Sequence, residues 1–154
     1  MKHLIYPLAF ALILLSCKEK TPVKASKVAY LDEASITLLD QELNNILDAE
    51  QKIEILAEGH DWTEGPLWLE SEQSLLYSDI PRNAVYSWDA ETGVKEYLKP
   101  SGYLGENFQG SEPGSNGLLL NNQGELVLCQ HGDRQVVKMN SPLSDPKPEF
   151  IALT

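Results

Sequence analysis

The chain has 154 residues, of which 42% are hydrophobic and 23% charged, with a formal net charge of −11. That length suits one ordinary domain, and the apolar fraction is enough for a packed core, which excludes a disordered chain. The acidic balance excludes nucleic acid and a bare anionic membrane surface as partners.

The first stretch, MKHLIYPLAFALILLSC, sets Lys2 and His3 ahead of an apolar run from Leu4 to Leu15, then Ser16 and Cys17. The run is short for a bilayer span and has the shape of an export signal, so residues 1–16 are expected to be a signal peptide. The ending LLSC resembles the lipobox of bacterial lipoproteins. That resemblance implies that Cys17 is acylated and becomes the mature N-terminus, so that the membrane is a partner through the lipid anchor only. Lys18 departs from the aspartate that favours inner-membrane retention. The expected location is therefore exported, on the outer membrane or the periplasmic face, with an ordinary signal peptide or short anchor as the alternative. The other cysteine, Cys129, lies in the apolar run ELVLCQ. With Cys17 lipidated it has no intramolecular partner, and it reads as a small buried hydrophobe.

Residues 17–34 are polar and basic and read as a tether. Over residues 35–50, Leu39, Leu43, Ile46 and Leu47 recur at helical spacing behind a capping Ser35. The spacing predicts a short amphipathic helix. QKIEILAEG alternates and predicts a strand. From there to Thr154 the grammar is all-β. GPLWLE, SLLYSDI, AVYSWD and VKEYLKP are four short strands joined by SEQ, PRN and AETG, each with turn chemistry. After the loop SGYLGENFQGSEPGS, which reads as a flexible rim with a role in specificity, the pattern returns. NGLLL, ELVLCQ and QVVKMN are joined by NNQG and HGDR and lead into SPLSDPKPEF.

The two units superpose. Gly65 falls on Gly117 at an offset of 52, and Leu75, Val85, Trp88 and Asp89 fall on Leu126, Val136, Met139 and Asn140 at an offset of 51. A four-stranded repeat of this length is the signature of a β-propeller blade, and residues 51–154 are expected to hold two. In a propeller the first strand of each blade lines the central channel. Glu64, in WTEGPLWLE, and Asn116, in SNGL, hold the same repeat position at the mouth of that strand. Desolvating a carboxylate there is costly unless something compensates it. Both side chains are expected to point to the axis, where their oxygens would suit Ca²⁺, Mg²⁺ or Mn²⁺ and accept Zn²⁺. The alternative is a Glu64 that caps a turn or pairs with Arg82.

Taken together, AEGHDWTEGPLW, LLYSDIPRNAVYSWD and PSGYLGENFQGSEPGSNGLLLNNQGELVLCQHGDRQV resemble the gluconolactonase branch of the SMP-30/gluconolactonase/LRE-like family over roughly residues 51–140. The resemblance implies a six-bladed propeller that hydrolyses sugar-acid lactones with one divalent metal ion, Ca²⁺ foremost. It implies that Glu64, in the EGP motif, is a metal ligand. Asn116 becomes a candidate for contacting metal-bound water or sugar hydroxyls. His131, in QHGDR, is a candidate substrate-binding residue that donates to the lactone or moves a proton, unless it is a turn histidine bonding backbone. The family's remaining ligands and its general base are expected beyond Thr154. The chain then reads as the first two blades, inactive alone. His60 is expected in a solvated turn, and Asp79 in a structural hydrogen-bonding role. No phosphate-cradling GxxxxGK, GxSxG elbow or paired-cysteine zinc pattern competes. A non-catalytic surface propeller that binds sugars or protein partners is the alternative function.

Overall fold

The computed structural model describes residue 22 and residues 24–154. The expected signal peptide and Cys17 lie outside the described residues. β1 (Lys24–Tyr30) and β2 (Glu54–Glu58) form a two-stranded antiparallel sheet, with Lys24 opposite Glu58 and Tyr30 opposite Glu54. Two four-stranded sheets follow. The first is β3 (Thr63–Leu69), β4 (Ser74–Asp79), β5 (Ala84–Asp89) and β6 (Gly93–Leu98). The second is β7 (Ser115–Leu120), β8 (Leu126–Gln130), β9 (Gln135–Met139) and β10 (Phe150–Ala152). Each is a plain antiparallel meander in chain order.

The registers reproduce the repeat. Leu76 pairs with Ser87, Ser78 with Val85 and Asp79 with Ala84 in the first sheet. Val127 pairs with Lys138, Cys129 with Val136 and Gln130 with Gln135 in the second, each pair 51 residues on. The turns use the residues that positive φ demands: Asn83 at 54° ends the Ile80–Arg82 3₁₀ turn, and Gly93 and Gly124 lie at 74° and 77°.

One face of the first sheet packs on one face of the second. Leu69, Leu76, Val85 and Leu98 meet Leu118, Leu126, Leu128, Val137 and Met139 in a single buried cluster. Each such side chain contributes roughly 1.5–3 kcal/mol when fully buried, so this seam is the main source of stability. The opposite face of the first sheet carries Tyr77, Ala84 and Tyr86, flanked by Leu75, Trp88 and Val94.

Three expectations are corrected here. Residues 35–50 do not form an amphipathic helix: a 3₁₀ turn, Gln41–Asn45, stands in its place, capped by Asp40. Leu39 is 91% exposed and Ile46 76%, so the helical spacing has no surface to bury against. Residues 24–30, read as tether, are β1, because β2 offers them a backbone ladder. Cys129 is exposed rather than buried, because it faces outward from the seam. Among the described residues, no helix is long and apolar enough to cross a membrane.

Candidate functional site

The segments 59–62, 80–83, 99–114 and 131–134 all emerge at the same end of the two sheets, where β3 and β7 begin and β4 and β8 end. β3 slips register against β4 between Glu64 and Leu67, and β7 slips against β8 between Ser115 and Leu118. Such bulges re-aim side chains at a sheet's end. Both repeats therefore carry a bulge at one position, and the residues presented there are Glu64 and Asn116.

The two bulges touch through backbone. Gly65 has φ +60°, and a Cβ on it would lie 2.3 Å from the Asn116 carbonyl oxygen. Ser78 Oγ donates to that same oxygen at 2.9 Å and lies 2.9 Å from Ser115 Oγ. The main chain of Asn116 is thus fixed from two sides. Its side-chain Oδ1 is buried and has no hydrogen-bond partner. An orphaned buried amide oxygen is costly, and a native fold completes it with an ordered water, an ion or a ligand. Glu64 is half-buried and opens on a cleft of about 500 Å³ bounded by Ile55, His60, Pro66 and Tyr77. Asn116 and His131 line a second hollow, of about 410 Å³, with Gln130 and Arg134. The structure thus brings Asn116 and His131 together and sets Glu64 next door, across the Gly65 contact. Carboxylate and amide oxygens fit a hard divalent cation in kind. Among the described residues, no group of three or more His, Cys, Asp or Glu side chains converges to hold one.

His131 Nδ1 lies 2.8 Å from the Glu112 carbonyl oxygen, which can only accept, so Nδ1 carries the proton and Nε2 is the acceptor of the neutral ring. The turn-histidine reading and the substrate reading are compatible: one nitrogen orients the ring and the other remains. Asp133 holds the neighbouring loop, accepting from Leu104 N at 3.1 Å and donating its own amide to Gly102 O at 3.0 Å.

His60 is not solvated. Its side chain is 10% exposed, Nδ1 lies 3.0 Å from Asp79 Oδ2, and Nε2 lies 3.0 Å from the Tyr77 hydroxyl. The ring stands edge-on to Tyr77 and Tyr86 at centroid distances of 5.0 and 4.9 Å. Asp79 is fully buried. It also accepts from the amides of Asp61 at 3.2 Å and Trp62 at 3.3 Å, and lies 3.1 Å from Arg82 Nε. Burial pushes its pKa up, but the His60 hydrogen bond and the two amides outweigh that and hold it below the ordinary value. The structural role expected of Asp79 is what the geometry shows. Arg82, the alternative partner for Glu64, is engaged by Asp79, by Asp61 at 3.2 Å and by the Gly59 carbonyl at 2.6 Å.

The 99–114 loop is pinned, not loose. Asn83 Oδ1 accepts from the amides of Ser101, Gly102 and Tyr103 at 3.1, 2.8 and 3.2 Å, and its Nδ2 donates to Tyr103 O at 2.7 Å. Gln130 Nε2 donates to Ser101 O at 3.1 Å. Residues 104–111 project and are exposed but for Phe108, which packs on Tyr103. Sequence reasoning assigned nothing to Asn83. The available signal was an Asn closing SDIPRN, a residue that tolerates a left-handed turn and frees its amide for a neighbouring loop.

Residues 62–149 match the SMP-30/Gluconolactonase/LRE-like region family. A gluconolactonase of Zymomonas mobilis is 36% identical over 107 residues, which are 68% of this chain and 30% of that protein. The chain therefore spans about a third of the length of that curated relative. A gluconolactonase from Xanthomonas campestris has the same fold over 85% of this chain and 38% of its own, with a TM-score of 0.63 at 21% identity.

Proposed function

This chain belongs to the SMP-30/gluconolactonase/LRE-like family, and on that premise we propose that it supplies part of a six-bladed enzyme that hydrolyses sugar-acid lactones with the help of one divalent cation. A relative carrying the name gluconolactonase supports the substrate class. The observation that carries the site is the buried, unpartnered Oδ1 of Asn116 beside the bulge that presents Glu64. Glu64 and Asn116 would hold the cation, and Ca²⁺ suits an all-oxygen set best. When bound, such a cation supplies Lewis acidity toward the ester carbonyl. The chain's own residues do the rest. Gly65 lets the two bulges close on each other. Asn116 offers one face to the lactone's hydroxyls. His131, held through Nδ1, presents Nε2 to accept or pass a proton at the ring-opening oxygen.

The test uses the protein carrying the whole propeller. Hydrolysis of an aldonolactone should fall at least about 100-fold with a chelator and with Glu64→Gln. Activity unchanged by both would overturn the reading, and sugar binding without turnover would favour the non-catalytic propeller. The same proposal anchors the protein through Cys17: labelled fatty acid should mark the wild type and not Cys17→Ser.

A further inference from the structure

The first sheet holds more chemistry at its end than the fold requires. Asp79 stands directly opposite Thr63 in the ladder, and Ser78 opposite Glu64. The same Asp79 carboxylate takes the His60 ring and the amides of Asp61 and Trp62, while Ile80 N donates to Trp62 O at 3.1 Å. Every residue from His60 to Thr63 is therefore tied to Asp79 or its neighbour, and Glu64 is the next one along. His60, Thr63 and Tyr77 also line the cleft onto which Glu64 opens. The second sheet does the same job without charge. Gln130, the repeat partner of Asp79, reaches back to Ser101 O, and the residue re-aimed by its bulge is the neutral Asn116.

We infer that His60 and Asp79 are positioning residues for Glu64: they lock the 59–63 segment, so the bulge that follows delivers the carboxylate at one fixed angle. This rests on the reading of Glu64 as a cation ligand. The lock runs through a specific bond, in which His60 Nδ1–H donates to Asp79 while Nε2 meets the Tyr77 hydroxyl. The two bonds can be separated by substitution. An Asn at 60 keeps a donor near the Nδ1 position and loses the Tyr77 side. A Gln keeps a group near Nε2 and loses the Asp79 side. Groups supporting an orienting contact of this kind typically change cation affinity by 10–100-fold when removed.

The experiment is a Mn²⁺ titration of the protein carrying the whole propeller, read as paramagnetic broadening of the Gly65 and Asn116 amide resonances, with thermal unfolding followed in parallel. Wild type should broaden at both, and Glu64→Gln at neither. His60→Asn should bind Mn²⁺ within about threefold of wild type, while His60→Gln and Asp79→Asn weaken it about tenfold or more. Tyr77→Phe should leave affinity unchanged even where it lowers Tm. Equal affinity in His60→Asn and His60→Gln, with Glu64→Gln still silent, overturns the positioning role and leaves the ligand reading intact. Absence of broadening at Gly65 and Asn116 in wild type overturns the ligand reading, and the positioning role with it.

Discussion

The two sheets share a backbone and differ in what they carry on it. Ser74, Leu76 and Ser78 of the first sheet hold the positions of Glu125, Val127 and Cys129 in the second. In the first sheet this face lies in the seam, and the hydroxyls are small enough for close approach: Ser78 is fully buried and bonded across to Ser115. In the second sheet the same face points outward, and it carries an ion pair and an exposed thiol. The lesson is that a repeat fixes ladder and bulge, while burial decides chemistry position by position. The site end follows the same rule, with Glu64 against Asn116 and Asp79 against Gln130.

Gly65 and Gly117 break the comparison most sharply. They are repeat equivalents, yet a Cβ on Gly117 meets only Cys129 Sγ, at 3.9 Å, whereas one on Gly65 strikes the Asn116 carbonyl from a left-handed backbone. Gly65→Val should cost about 4 kcal/mol, combining backbone strain with overpacking. Gly117→Ala should stay within about 0.5 kcal/mol. Urea midpoints of the two variants decide it, and equal losses would show that the two bulges are not in contact. Next in size is the seam itself. Leu126, fully buried between the sheets, should cost about 3 kcal/mol on truncation to Ala. Its equivalent Leu75, only half-buried beside Trp88, should cost about 1 kcal/mol by the same measurement.

Asp79 and Gln130 differ in pH response. The folded-state pKa of Asp79 is depressed, so its stabilising contribution is complete above the ordinary value of 3.8 and is lost as pH falls through the lower folded value. Asp79→Asn should therefore lower stability at neutral pH by about 2 kcal/mol and flatten the acid limb below about pH 4. Gln130→Ala should lower the whole curve without changing that limb. Urea unfolding at several pH values separates the two shapes, and an unchanged acid limb in Asp79→Asn would remove Asp79 from the account.

The strands were legible because their chemistry is local. Runs such as SLLYSDI are apolar on both faces, and PRN and NNQG are turns by residue type alone. The repeat made Glu64 and Asn116 legible as a pair, since equivalence in sequence became equivalence of bulge. What failed depends on distant partners. The spacing of Leu39, Leu43, Ile46 and Leu47 is a statement about burial, and no surface among the described residues covers Leu39 or Ile46. His60 sits in a polar turn, and its burial comes from Asp79, 19 residues on, through the β3–β4 register. Cys129 has the composition of a core residue on a face that points away from the seam between the sheets. The hold of Asn83 on the 99–114 loop, across 18 to 20 residues, leaves no periodic trace at all.

The smallest expected effect lies on that outward face. Lys138 Nζ reaches Glu125 Oε1 at 2.6 Å, and that hydrogen bond, followed by one from Asn121, lowers the Glu125 pKa. The first sheet has Ser87 and Ser74 at these two positions and no charge in either place. Partly exposed pairs gain little, since water screens them and two long side chains lose freedom. Lys138→Met should shift Tm by no more than about 1–2 °C, and the difference from wild type should vanish in about 1 M salt. A larger loss in Lys138→Ala, with Lys138→Met close to wild type, would mean that the aliphatic stem of Lys138, opposite Val127 in the ladder, stabilises the sheet more than its charge does. In that case the outer face of the second sheet would behave as a core surface, like its counterpart in the first.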